Sequence, residues 1–390
     1  MNKMLMPCLL LSGLLSWGSG IAGTMEQSIL AIKAVGPEGK GNTEAASAWR
    51  QLSQADAASL PELLRAMDDA NELAANWLRS AIEAIADRTL ARGGKLPVSE
   101  LRAVLGDTDR NPRARRFAYE LIRRVEPGIA EEIIPRMADD PSLEMRYDAV
   151  QRLIQGAERL ASETNTAEAT GLYRRALDSA REVKQIQQIK KALDGLGASV
   201  DLPAHFGFLM QWQLIGPFDN TERKGFETVF PPEQAIELTA EYPGKAGPVR
   251  WAPFASEHEY GLINFNLPYG PLKEVTGYAY TEFKSEAARS AELRLGCKNA
   301  WKLWFNGKYV FGRDEYHRGM EIDQYRFPVE LKAGKNTILL KICQNEQKET
   351  WTKEWEFQLR VCDARGTAIL AVDRPPAAPQ ARARRAAMAP

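Results

Sequence analysis

The stretch AWKLWFNGKYVFG, residues 300–312, decides the fold. Its large side chains alternate: Trp301, Leu303 and Phe305 fall on one side and Lys302, Trp304 and Asn306 on the other. That is the period of an extended strand with one face toward a core. The alternation stops at Asn306-Gly307, a pair suited to the positive φ that both central residues of a type I′ turn require, and resumes at Lys308. The stretch therefore predicts a β-hairpin.

Comparable runs lie on both sides. FLMQWQLIGPF, TGYAYTEFKS and SAELRLGC precede it; RFPVEL, NTILLKICQ and WEFQLRVCD follow, with a turn at AGKN. Ile338, Leu340 and Ile342 oppose Leu339, Lys341 and Cys343. Short alternating strands from residue 204 to 370, after a change of texture at Pro203, predict an antiparallel β-sandwich. With Cys8 set aside in a leader expected to be removed, Cys297, Cys343 and Cys362 remain, all in these strands, and their odd number excludes a disulfide framework. A single bridge between Cys343 and Cys362 and three free thiols both stay open. No Cys/His spacing of a zinc site occurs.

LRLGCKNAWKLWFNGKYVF followed by a polar loop and FPVELKAGKNTILLKI, residues 293–345, resembles the central strands of galactose-binding-like jelly rolls. Among these are the sugar-binding domains of β-galactosidase and β-glucuronidase-type glycoside hydrolases. QWQLIGPFDNTERKGFETVFPPE, residues 211–233, and the run to Asp363 resemble the C-terminal sandwich of uncharacterised exported bacterial proteins that join HEAT-like helices to such a domain. The resemblance implies a fold, and the same sandwich serves as carbohydrate-binding module, accessory domain or spacer. Where the hydrolases' loop carries a Gly-Gly-Tyr-x-Pro-Phe element, this chain has DEYHRGMEIDQY, and the chain is expected to carry no catalytic barrel.

The polar loop RDEYHRGMEIDQY, residues 313–325, is the densest cluster of chemistry. Arg313, Asp314, Glu315, Tyr316, His317 and Tyr325 are candidate ligand contacts, joined by Trp304 on the non-core face of its strand and by Trp351 and Trp355 at a loop-to-strand junction. Sugar recognition places an aromatic face against the C–H side of a pyranose and polar groups against its hydroxyls. Each tryptophan has a core reading beside the ligand reading. Asp314, Glu315, Glu321 and Asp323 are candidate calcium ligands, because Ca²⁺ takes about six to eight oxygens; otherwise no cofactor is expected. Mutual pairing of Arg313 or Arg318 with these carboxylates is the purely structural alternative. No nucleophile elbow, HExxH, phosphate loop or dinucleotide fingerprint is present, and His205, His258 and His317 are the only imidazoles.

Residues 24–200 repeat apolar residues at helical spacing, as in LPELLRAM, NWLRSAIEAIADRTL, VSELRAVL and RRFAYELIRRV. Units superimpose at Ala81/Ala118/Ala149, Ile82/Tyr119/Val150 and Ile85/Ile122/Leu153, each after an Asp-containing turn. The drifting period is that of two-helix repeats that bury their stripes by stacking. DPSLEMRYDAVQRLI, with Asp140 as expected N-cap, resembles the second helix of a HEAT repeat; Tyr173, Ala176 and Leu177 resemble a tetratricopeptide-type helix. Arg115, Arg116, Arg123 and Arg124 cluster, either as a solvated face or as a partner site.

Residues 1–22 read as a secretory signal peptide: Lys3, then an apolar run from Met4 to Trp17, then small residues up to Ala22, with a Gly-Ser-Gly exit that is poor helix. The mature chain is expected to be exported, to periplasm or medium, with no membrane span. Residues 371–390, rich in Pro and Ala, read as a disordered tail. Lys+Arg and Asp+Glu both number 51, which argues against nucleic acid as a partner. The pattern as a whole predicts an exported binding or scaffold protein. Its helical array would serve protein contacts and its sandwich a glycan or protein surface, with a purely structural assembly role or a part in polysaccharide degradation as alternatives.

Overall fold

A computed structural model describes residues 18–375 of the chain, which divides into two compact units, Met1–Ala180 and Arg181–Pro390. Most of the signal-peptide segment lies outside the described residues. Its exit does not: helix α1, Gly18–Lys33, begins inside the glycine-rich stretch that predicts poor helix.

The first unit continues with α2 (Asn42–Leu52), α3 (Leu60–Arg65), α4 (Glu72–Ala91), α5 (Val98–Gly106), α6 (Pro112–Val125), α7 (Ile129–Ile133), α8 (Leu143–Ser162) and α9 (Thr166–Ser179). The repeated positions point inward. Ala81, Ile82 and Ile85 on α4, Ala118, Tyr119 and Ile122 on α6, and Ala149 and Val150 on α8 are buried, while Leu153 is half-buried. Capping follows the same repeat. Asn71 accepts from Ala74 N at 2.9 Å and donates to Val35 O at 2.7 Å; Asn111 accepts from Arg113 N at 2.9 Å and donates to Met67 O at 3.0 Å. Each asparagine thus starts one helix and ties it to the preceding hairpin.

At the third such turn the expected cap is displaced. Ser142, not Asp140, caps α8, accepting from Met145 N at 3.3 Å. Asp140 instead takes Arg115 in a two-point ion pair, with both N–O distances 2.7 Å, and Arg115 Nε donates to Leu105 O at 2.9 Å. Arg115 is therefore a core residue and cannot contact a partner. The other arginines of that segment are also engaged: Arg116 with Asp148 and Glu120, Arg124 with Asp87, and Arg123 over the Tyr119 ring.

In the second unit, α10 (Val183–Gly195), read from sequence as the end of the helical array, and α11 (Leu202–Phe206) precede twelve strands among the described residues. The strands are β1 (Gln211–Asp219), β2 (Glu241–Pro243), β3 (Pro248–Arg250), β4 (Ala252–Ala255), β5 (Ile263–Asn264), β6 (Val275–Ser285), β7 (Arg289–Cys297), β8 (Ala300–Phe305), β9 (Lys308–Arg313), β10 (Tyr325–Leu331), β11 (Gly334–Gln344) and β12 (Glu356–Cys362). A six-stranded antiparallel sheet has the order β4-β1-β6-β11-β8-β9, and a four-stranded one the order β10-β7-β12-β5. Trp301, Leu303, Phe305, Ile338, Leu340 and Ile342 face Leu293, Leu295, Phe357, Leu359 and Val361 in one buried cluster, as alternation predicts. Asn306 and Gly307 take φ of 50° and 76°, the two positive angles of the expected hairpin turn.

Cys297, Cys343 and Cys362 are buried and free. Cys343 lies in the six-stranded sheet and Cys362 in the four-stranded one, so the bridge left open by the sequence does not form. Of the segment read as a tail, the described residues are attached: Val372 N donates to Lys284 O at 3.0 Å, and Arg374 lies 3.7 Å from Asp201. Among the described residues no helix is long and apolar enough to cross a membrane.

Candidate functional site

After β1 the chain crosses the outer face of the six-stranded sheet as an irregular cover. It includes the short helix α12 (Pro231–Gln234) and the β2–β3 ribbon; a further short helix, α13 (Asn266–Tyr269), precedes β6. The cover is held by a second apolar layer of Ile215, Phe218, Val249, Trp251, Tyr278, Tyr280 and Leu339, against which Phe230, Ile236 and Trp304 pack. Phe230 lies 4.9 Å from the Phe218 ring. Beneath it, Lys341 on β11 is fully buried and donates to Phe226 O (3.0 Å), Thr228 O (2.7 Å) and Glu233 Oε1 (2.8 Å). A lysine whose alternation predicts an outward position is thus the strut between sheet and cover.

The cover stops short of the β8–β9 hairpin, leaving an open cleft of about 550 Å³ lined by Phe226, Glu227, Glu233, Lys302, Trp304, Tyr309, Gly312 and Asp314. Trp304 and Tyr309 meet edge to face at 5.8 Å and form its aromatic wall; Tyr309 is 57% exposed. Lys302 pairs with Glu227 at 2.9 Å and stands 4.4 Å from the centre of the Phe226 ring. Glu233 has a side chain only 9% exposed; its Oε1 accepts from Tyr278 OH at 2.5 Å and from Lys341. Burial, with Glu233 adding to it, pushes the Tyr278 phenol far above its ordinary range. Burial and then the Glu227 charge raise the proton affinity of Asp314, against the pull of Arg223 and Lys302.

Of the residues singled out in sequence, only Trp304 and Asp314 enter this cleft. Tyr316, His317 and Trp351 form a separate group. Tyr316 OH accepts from Asn220 Nδ2 at 3.2 Å and its ring lies 5.3 Å from the Arg223 guanidinium; His317 Nε2 pairs with Asn345 Oδ1 at 2.7 Å and meets Trp351 edge-on at 5.6 Å. Burial lowers the His317 pKa, and Trp351 is 59% exposed. Trp355 belongs to neither group. It is fully buried, stacked 4.7 Å from Phe265, with its indole N–H donating to Ile342 O, so its reading as an accessible ligand contact is corrected. Tyr325 packs at 4.9 Å on Trp301, at the core margin.

One carboxylate of the loop pairs as the structural alternative expects. Glu315 takes Arg313 (3.0 Å) and Arg318 (2.8 Å), whereas Asp323 turns to the other sheet and takes Arg294 (2.7 Å) and Arg360 (2.5 Å). Glu321 is exposed. The four candidate calcium ligands are thereby dispersed, and among the described residues no three His, Cys, Asp or Glu side chains converge as metal ligands would. Sequence reading missed Phe226, Glu227, Glu233 and Tyr309. The first three come from a segment with no period to read; Tyr309 stood in view one residue past the Asn-Gly turn.

No protein-family model matches the sequence, and no curated protein matches it. Solved structures that share local similarity include a family 35 carbohydrate-binding module from Clostridium thermocellum (15% identity, 23% of this chain and 72% of that one, TM-score 0.18). An FMN-binding β-glucuronidase from Facaelibacterium prausnitzii matches with 12% identity over 39% of this chain and 21% of its own, TM-score 0.23. A PA14 sugar-binding domain from an RTX adhesin matches with 11% identity over 39% of this chain and 89% of its own, TM-score 0.23.

Proposed function

We propose that the chain is an exported, non-catalytic binding protein whose sandwich takes a glycan in the cleft over β8 and β9. Its helical unit, a degenerate HEAT-type array, serves protein contacts. The observation that carries the glycan reading is the pairing of an aromatic wall, Trp304 and Tyr309, with carboxylates of Glu227, Glu233 and Asp314 in one cleft of about 550 Å³. A pyranose ring fits such a wall through its C–H face while its hydroxyls donate to the carboxylates. The volume lies in the range of roughly 300–1,000 Å³ typical of small-ligand sites. Export rests on the apolar run of residues 4–17 and the small residues up to Ala22.

The test is a glycan array probed with the mature chain, with and without calcium, beside a Trp304→Ala/Tyr309→Ala double variant. Binding that the double variant loses supports the reading. Absence of binding to every glycan, or binding indifferent to the pair, defeats it.

A further inference from the structure

We infer that the sugar taken in this cleft is an amino sugar with a free, protonated amine, such as a glucosamine residue of a deacetylated chain. The inference rests on the reading of the cleft as a glycan site and concerns which glycan it selects.

The cations of the cleft are already committed. Lys341 has no exposure and spends its three N–H donors on two backbone carbonyls and Glu233. Lys302 is paired with Glu227 at 2.9 Å and covered by the Phe226 ring. Arg223, the next cation toward Asp314, is bound to Glu346 at 2.5 Å and lies against Tyr316; Arg313 is bound to Glu315. Two lysines thus neutralise two of the three carboxylates.

What is left facing the ligand is acceptor and negative. Asp314 makes no hydrogen bond or ion pair among the described residues, and the two cations whose charge reaches it, Arg223 and Lys302, are each paired with another carboxylate. Glu233 is more than nine-tenths buried, with Oε1 doubly engaged. Its second oxygen has no partner among the described residues, although the side chain lines the cleft. A ligand that satisfies this wall must be rich in donors. A uronic acid would bring a carboxylate to a site with no free cation, and like charges in a partly desolvated cleft repel. A neutral sugar supplies hydroxyl donors only. An ammonium supplies three donors and the missing charge, and charge-assisted hydrogen bonds are about twice as strong as neutral ones. N-acetylation removes that charge and replaces donors by a carbonyl acceptor.

Calorimetric titration of the mature chain, in mildly acidic low-salt buffer, with glucosamine, N-acetylglucosamine, cello- and galacturonate oligomers of one length tests this. The glucosamine oligomer is expected to bind about tenfold more tightly than the cello-oligomer, and the galacturonate not at all. Asp314→Asn, at an exposed position without partners, is expected to remove that tenfold advantage, bringing the glucosamine oligomer to the affinity the same variant shows for the cello-oligomer. Equal or tighter binding of a neutral or acidic oligomer overturns the amine while leaving the glycan reading intact. So does a glucosamine affinity unchanged by Asp314→Asn, or one that survives Trp304→Ala/Tyr309→Ala and therefore belongs to another surface. Failure of all four oligomers to bind overturns both.

Discussion

Lys341 Nζ lies 2.8 Å from Glu233 Oε1 with neither side chain more than 9% exposed, so floor and wall of the cleft are joined by one buried ion pair. Removing one partner of such a pair leaves a buried charge without compensation. Lys341→Met strands Glu233 together with the Phe226 and Thr228 carbonyls. A loss of about 3 kcal/mol in chemical denaturation is expected. A loss under about 1 kcal/mol would show that water replaces the ammonium and that the cover does not depend on it.

Two aromatic substitutions separate binding from folding. Tyr309→Ala removes a ring that is 57% exposed and is expected to weaken glycan binding by about 1–2 kcal/mol with little change in melting temperature. Trp355→Ala opens a hole in the core beside Phe265 and should cost about 3–5 kcal/mol of stability. The reverse pattern would place the ligand surface at the junction before β12 and not over β8 and β9.

In the helical unit, Arg115→Ala is expected to destabilise by about 3–5 kcal/mol, because Asp140 then stays buried without its two-point partner. Arg116→Ala, whose partners are only partly buried, should cost about 1 kcal/mol or less. Urea midpoints measure both, and similar losses for the two variants would contradict the distinction.

Acid should weaken the second unit through His205. Burial, and then Arg181 and Arg360, lower its pKa to about 4 from the ordinary 6.5. The unfolded imidazole therefore binds a proton that the folded one refuses, and stability falls as pH drops from 6.5 toward 4. The fall amounts to about 2 kcal/mol, and His205→Gln should flatten it. Equal slopes for wild type and variant in urea titrations across that window would remove His205 as the cause.

The sandwich could be read because its signals are local. Alternation sorts Trp301 from Trp304, and Asn306-Gly307 can hardly do anything but turn. The helical stripes were legible for the same reason. The cleft was half-hidden because its parts meet only through long-range contact. Alternation puts Lys341 outward, which is right for the sheet, but it cannot say that residues 226–233 return to cover that face. The spacing of Trp351 and Trp355 carried no information about faces, since Trp351 sits inside a 3₁₀ turn, Thr350–Thr352, and Trp355 swings inward before β12 begins. Density of charge in residues 313–325 marked two carboxylates that are held by arginines, Glu315 by Arg313 and Arg318 of its own segment and Asp323 by Arg294 and Arg360 of the four-stranded sheet.

The three buried thiols have a practical side. Burial pushes Cys297 up to about 12 and Cys343 and Cys362 up to about 11, so at neutral pH they are neither thiolates nor accessible. A cysteine introduced at exposed Lys308, beside the aromatic wall, would stand as the single labelling position of the sandwich. A fluorophore there would follow occupancy of the cleft in real time, and the protein could be produced in a reducing cytosol because the sandwich has no bridge to lose.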